Sequence, residues 1–160
     1  MKKIFICLTL TILLWNESFG QQEILKATEL VKSLKSNSKA HDGASLNDYL
    51  ITDINHDGIY EVIERVNRIE QQSTGLLNIE LAPAFTFDKI YKFEDGEFAE
   101  SYDGFSWYLT KRQEHYQLWK RLIENPESLS SDSQNLIKYN KELLTKEIDQ
   151  LIELTKEKLN

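Results

Sequence analysis

Sulfur is nearly absent from this 160-residue chain: the one cysteine is Cys7 and the one methionine is Met1. Past residue 7 there is no thiol. Disulfides, thiolate zinc sites, iron–sulfur ligation and cysteine nucleophiles are thereby excluded. Also missing are a Gly-x-Ser-x-Gly elbow, a His-Glu-x-x-His zinc helix and a glycine-rich phosphate loop. Basic charge is short as well, with 19 Lys and Arg against 26 Asp and Glu, a net charge of −7. The pairs Lys111-Arg112 and Lys120-Arg121 are too sparse to make a nucleic-acid surface. No apolar run reaches the roughly 20 residues that a bilayer span takes.

The first twenty residues read as a bacterial-type signal peptide. Met1-Lys2-Lys3 is a positive start, Ile4–Trp15 is an apolar stretch, and Ser18 and Gly20 place small residues ahead of a cleavage point. Cys7 lies too early in that stretch to become a lipidated terminus. Residues 21–160 then form one globular domain. Losing Lys2, Lys3 and Glu17 leaves 17 basic and 25 acidic side chains, a net charge of −8. Export to the periplasm or the extracellular space is the expected localisation.

Apolar periodicity predicts the elements of the domain. Ile24, Ala27, Leu30, Val31 and Leu34 form a helical stripe, and Ser36–Gly43 reads as a loop. Tyr49–Thr52 and Ile59–Val66, rich in β-branched and aromatic residues, flank the turn signal Asn55-His56-Asp57-Gly58 and predict a hairpin. Further strands are expected at Leu76–Leu81 and Phe85–Phe93, with Asp95-Gly96 turning a second hairpin. Pro83 marks an edge or a break. A helix over 106–124 stops at Asn125-Pro126. Ser131 and Gln134, at capping-box spacing, open a last helix carrying Ile137, Leu144 and Leu151. That helix is expected to fold back on the core, because Asn140 and Thr155 interrupt its heptads. The fold class is α+β: an N-terminal helix, a small antiparallel sheet of hairpins and two C-terminal helices.

One segment carries chemistry. Asp53-Ile54-Asn55-His56-Asp57-Gly58-Ile59-Tyr60-Glu61 places oxygen-bearing side chains at loop positions one, three, five and nine. Ca²⁺ takes six to eight oxygen ligands, and short alternating side chains in a tight turn can bring them together. Gly58 permits the sharp bend, and Ile59 offers only its backbone carbonyl. Three carboxylates in one turn repel one another unless a cation sits among them. A metal-free hairpin turn rich in Asx residues is the bland alternative.

This loop resembles the Asp-x-Asn-x-Asp-Gly-x-x-acidic calcium loops of FG-GAP and VCBS-type repeats, which join two β-strands. The resemblance covers residues 49–66, and a single copy at this length excludes a propeller. It implies Asp53, Asn55, Asp57 and Glu61 as side-chain ligands and Ile59 as a carbonyl ligand of Ca²⁺. The loop is also similar to an EF-hand, with Glu64 at position twelve as a bidentate ligand. Tyr60 at position eight and the lack of a second loop depart from that family. Strand-flanked and helix-flanked forms both imply calcium, and differ over Glu64.

Other chemistry-bearing residues are sparse. His41, His56 and His115 have no metal-ligand spacing and read as solvated residues. Glu94, Asp95 and Glu97 surround a turn. The aromatic run Tyr102–Tyr108, with Tyr116 and Trp119, reads as core packing, although such a platform can also bind a sugar or peptide. The expectation is an exported, non-enzymatic binding protein with one structural calcium site, whose ligand is an unknown protein or glycan. An inhibitor or immunity-type protein, meeting a partner enzyme through an acidic or aromatic surface, is the alternative. A metal-dependent hydrolase ranks below both. N-terminal sequencing of the protein from the envelope or culture fraction should begin at Gln21; an intact Met1 there would refute cleavage.

Overall fold

The computed structural model describes residues 2–38, 40–41, 44–45, 47–70 and 75–159, with side chains from Gly20 onward except at 40–45. Residues 1–19 of the expected leader therefore lie outside the residues whose side chains are described, as does the side chain of His41. Helix α1 (Lys2–Asn37) is followed by the short strands β1 (Ala40–His41) and β2 (Ala44–Ser45), which pair with each other. Next come β3 (Asn47–Thr52) and β4 (Glu61–Asn67), a 3₁₀ turn at Ala82–Phe85, then β5 (Thr86–Glu94) and β6 (Glu97–Glu100). Two helices close the chain, α2 (Ser106–Glu124) and α3 (Ser131–Leu159). The arrangement is α+β. Among the described residues no helix is long and apolar enough to cross a membrane.

The main sheet is an antiparallel meander, β3-β4-β5-β6. β4 is central and buried on both faces, which explains why its sequence, Glu-Val-Ile-Glu-Arg-Val-Asn, is β-branched yet lacks a clean polar–apolar alternation. β5 and β6 meet at Asp95-Gly96, both with positive φ (53° and 85°), the backbone of a two-residue hairpin turn.

β6 covers only the second half of β5, so the first half is an open edge. Side chains close it. The Thr86 carbonyl accepts from the Tyr116 hydroxyl (2.6 Å) and from the Arg112 guanidinium. The Asp88 carbonyl faces the Tyr102 hydroxyl at 3.5 Å, and the Ile90 carbonyl accepts the Ser101 N–H at 3.0 Å. Helix α2 thus stands where a longer β6 would have run.

Asp88 fixes that docking. It is buried, and Arg65 of β4 grips it with two bonds of 2.8 and 3.1 Å. From α2, the Tyr108 hydroxyl donates at 2.6 Å and Arg112 Nε lies at 3.7 Å. Burial alone would raise the Asp88 pKa, but Arg65, Arg112 and Tyr108 outweigh it and hold the carboxyl below its ordinary value. Beyond α2, the largest core cluster joins Ile69, Leu81, Phe85 and Phe87 to Tyr116, Ile123, Ile137, Leu144, Ile148 and Leu151. Helix α3 folds back through Ile137, Leu144 and Leu151 and is not a free coiled-coil strand. It kinks at Asn140 (φ −124°), whose side chain bonds the Leu136 carbonyl at 3.0 Å.

Four expectations are corrected. Leu76–Leu81 is a turn and not a strand, because the Asn78 side-chain oxygen accepts the Leu81 N–H (2.9 Å) and closes the backbone on itself. The cap of α3 is Ser130, not Ser131: its hydroxyl accepts the Ser133 N–H at 3.3 Å, while Gln134 turns to the Leu129 carbonyl. The Glu80 carboxylate backs this cap by accepting from the backbone and hydroxyl of Ser130 and from the Ser133 hydroxyl. The buried stripe of α1 includes Glu23 in place of Ile24, which is exposed. His115 is half-buried and not a freely solvated side chain. It sits at the rings of Tyr116 and Trp119 with Nε2 at 3.2 Å from the Pro83 carbonyl, and burial lowers its pKa.

The linkage sign for Asp88 follows from its depressed pKa. Its stabilisation is complete above the unfolded value near 4 and is lost as pH falls through the lower folded value. Asp88→Ala should cost about 3–5 kcal/mol at neutral pH, because two guanidinium groups lose their anion. In denaturant titrations that deficit should shrink below about pH 4. A deficit that is constant down to pH 2 would contradict the pairing.

Candidate metal centre

Residues 53–60 join β3 to β4, and Thr52 faces Glu61 across the ladder. Strands flank the loop on both sides. The EF-hand-like alternative fails on geometry as well as on secondary structure. Along a strand, side chains alternate faces, so Glu61 and Glu64, three apart, point to opposite sides of the sheet. Glu64 is engaged there by Asn47 Nδ2 (2.8 Å), Lys89 Nζ (3.0 Å) and the Tyr91 hydroxyl (3.1 Å). It cannot close a site with Glu61.

The loop's own N–H groups organise its acceptors. Asp53 Oδ1 accepts the Asp57 N–H at 3.1 Å, and Asp53 Oδ2 accepts the Gly58 N–H at 3.0 Å. Asn55 Oδ1 accepts from Asp57 N at 3.1 Å, and Asp57 Oδ1 from Ile59 N at 2.8 Å. Asn55 Nδ2 reaches Asp57 Oδ2 at 2.8 Å. These bonds turn the side chains of positions one, three and five inward over the turn. The turn depends on two positive φ angles, 62° at His56 and 87° at Gly58. Gly58 takes the second without strain; a side chain there would not. The Ile59 and Tyr60 side chains stay partly exposed, so Ile59 has only its backbone to offer.

Glu61 is the anomaly. Its side chain is fully buried, at 0% exposure. One oxygen, Oε2, accepts the Ile54 N–H at 2.8 Å, but Oε1 is buried without any hydrogen-bond partner. Burial raises its pKa, and Asp57 and Asp53 push it up further, against the Ile54 bond. No described ion pair involves it, and nearby Lys92 is spent on Glu94 at 2.8 Å. A buried carboxylate oxygen with no donor is costly unless something positive meets it.

Among the described residues no three His, Cys, Asp or Glu side chains converge into a ready metal cluster. A loop of this kind draws on an amide oxygen and a backbone carbonyl as well as carboxylates. Each carboxylate oxygen that accepts one N–H keeps a lone pair for a cation. The five residues singled out from sequence, Asp53, Asn55, Asp57, Ile59 and Glu61, all lie in this one turn. Sequence reasoning missed Glu23 of α1, whose carboxylate accepts the Tyr60 N–H within the loop. The only sequence signal for it is an acidic residue four positions ahead of the buried Ala27 on α1. His56 belongs to the turn, and the aromatic run is mostly internal: Phe105 is buried, Tyr102 packs on Phe87, and only Trp107 stands half exposed.

No family model matches this chain, and no curated protein or solved structure is significantly similar to it.

Glu61→Gln separates the two demands on this position. Without divalent ions the substitution should raise the melting temperature, because it removes a buried charge beside Asp53 and Asp57 while keeping an acceptor for Ile54. A fall in chelator would show that the charge is neutralised in some other way.

Proposed function

We propose that the chain is an exported, non-enzymatic binding protein in which the Asp53–Glu61 loop holds one calcium ion. The ion ties the β3–β4 hairpin, with Asp53, Asn55, Asp57 and Glu61 giving side-chain oxygens and Ile59 its carbonyl. The observation that carries the reading is Glu61 Oε1, a buried carboxyl oxygen lacking any hydrogen-bond partner, at the closing position of the loop. Calcium is favoured over a softer metal because every candidate donor is oxygen. It is favoured over magnesium because the turn offers a mixed, all-protein set of carboxylate, amide and carbonyl oxygens, whereas magnesium demands a near-ideal octahedron and sheds water reluctantly. Export is supported by the leader pattern of residues 1–20. The non-enzymatic reading is supported by the histidines: His115 is packed against rings and a carbonyl, and His56 holds a turn conformation.

Extracellular calcium modules commonly bind at about 10⁻⁴–10⁻³ M. Millimolar calcium should then stabilise the fold by about 1 kcal/mol. In a domain of this size that is a rise of roughly 2–5 °C in melting temperature, reversed by chelator. Asp53→Ala and Asp57→Ala should each abolish the rise, and Glu61→Gln should abolish it too. Glu64→Gln should lower stability but keep the calcium response, since Glu64 lies on the other face of the sheet. Melting that ignores calcium, with no heat of binding by calorimetry, would leave the loop an ordinary turn.

A further inference from the structure

Glu23 stands out on α1. Its neighbours Ile24 and Leu25 are about half exposed, yet Glu23 itself is 7% exposed. A carboxylate is buried at a place where two apolar side chains are left in solvent. Its Oε1 accepts the backbone N–H of Tyr60, 37 residues further along the chain. Among the described hydrogen bonds of loop N–H groups, this one alone has an acceptor outside the loop.

The Tyr60 N–H belongs to the same planar peptide unit as the Ile59 carbonyl, and the two point in opposite directions. A group that holds the N–H therefore sets the direction of the carbonyl. A charged acceptor on the N–H also polarises the unit and makes the carbonyl oxygen a better ligand. Ile59 is the one position of the loop that can contribute nothing but this carbonyl.

We propose that Glu23 is a positioning residue for the calcium site: it aims the Ile59 carbonyl and so couples calcium binding to the docking of α1. This inference rests on the calcium reading of the loop. The ion and the helix hold opposite ends of one peptide unit, so each strengthens the other, and the coupling is reciprocal. Lys26, which pairs with Glu97 at 2.7 Å, fastens the same stretch of α1 to the tip of the β5–β6 hairpin, so the docked helix reaches across the sheet.

The test uses the protein as isolated from cells, with calcium chloride as the probe. Calcium affinity by calorimetry is compared for the unmodified protein, Glu23→Gln and Glu23→Ala, and amide exchange over residues 21–37 is followed with and without calcium. Glu23→Ala should weaken calcium binding about tenfold. Glu23→Gln, which keeps an acceptor oxygen, should recover part of that loss. Calcium should slow exchange in α1 of the unmodified protein and not of Glu23→Ala. A residue that merely supported the fold would lower the melting temperature equally with and without calcium, and would leave affinity alone. Unchanged affinity in Glu23→Ala, or α1 exchange in the unmodified protein that is indifferent to calcium, overturns the coupling and leaves the calcium site standing. No binding to the unmodified protein overturns both. If Glu23→Ala does not fold, exchange in the unmodified protein decides.

Discussion

The described part of the domain hangs on one buried anion. Asp88 lies near the start of β5, and its carboxylate is shared by Arg65 on β4 and by Tyr108 and Arg112 on α2. Taking a carboxylate out of water is costly; the two directional bonds from Arg65 and the one from Tyr108 offset that cost, and the Arg112 charge at 3.7 Å adds to them. The position of α2 is therefore dictated by electrostatics as much as by apolar packing. From it follow the covering of the open half of β5, the burial of Tyr116 and the platform on which α3 folds back. Tyr108, at the same carboxylate, has its own pKa pushed up to about 12 by burial and by the Asp88 charge. Its hydroxyl therefore stays a donor throughout the physiological range.

Polar closure recurs at the 76–81 turn and at the start of α3. Asn78 closes a turn, Ser130 caps α3, and Glu80 bonds to that cap, which lowers the Glu80 pKa. None of these partners is adjacent in an apolar pattern, and Glu80 acts across 50 residues. This is why the sequence misplaces two local features while predicting the elements themselves. Leu76 and Leu77 look like a strand because they are apolar, and they do pack against the core. Asn78, however, offers the backbone a turn that competes with extension. Ser131 and Gln134 have the right spacing for a cap, but Ser130 is one residue nearer the preceding chain and takes the role.

The meander and the three helices were legible because their signals are periodic or local: β-branched runs, Asp95-Gly96, Asn125-Pro126. The loop was legible for the same reason, since its five candidate residues fall within nine positions. What could not be read is anything that depends on two distant segments meeting. Glu23 belongs to this class, as do the Asp88 pairing and the placing of His115 against Pro83. The strand-or-helix ambiguity around the loop was settled by tertiary context. Val62 and Val66 fit either periodicity, and only pairing with both β3 and β5 makes the segment the centre of a sheet.

Two buried carboxylates on the same face of that sheet can now be set side by side. Glu61 and Arg65 alternate in step along β4, and Arg65 pairs across to Asp88, so Glu61 and Asp88 share a face. Both are removed from water, yet their protonation equilibria move in opposite directions. Asp88 is lowered, because two arginines answer it. Glu61 is raised chiefly by its burial, with Asp57 and Asp53 adding to the shift, and no described cation pairs with it to reverse it. The chain supplies a counter-ion at one end of the face and withholds it at the other. Asp88 thereby finds its counter-ions within the fold. Glu61 finds no such complement among the described residues, and in the proposed reading an oxygen-seeking cation would answer both its orphan oxygen and the repulsion within the loop. Under the proposed calcium reading, an ion would do at the β3–β4 turn what Arg65 and Arg112 do at Asp88.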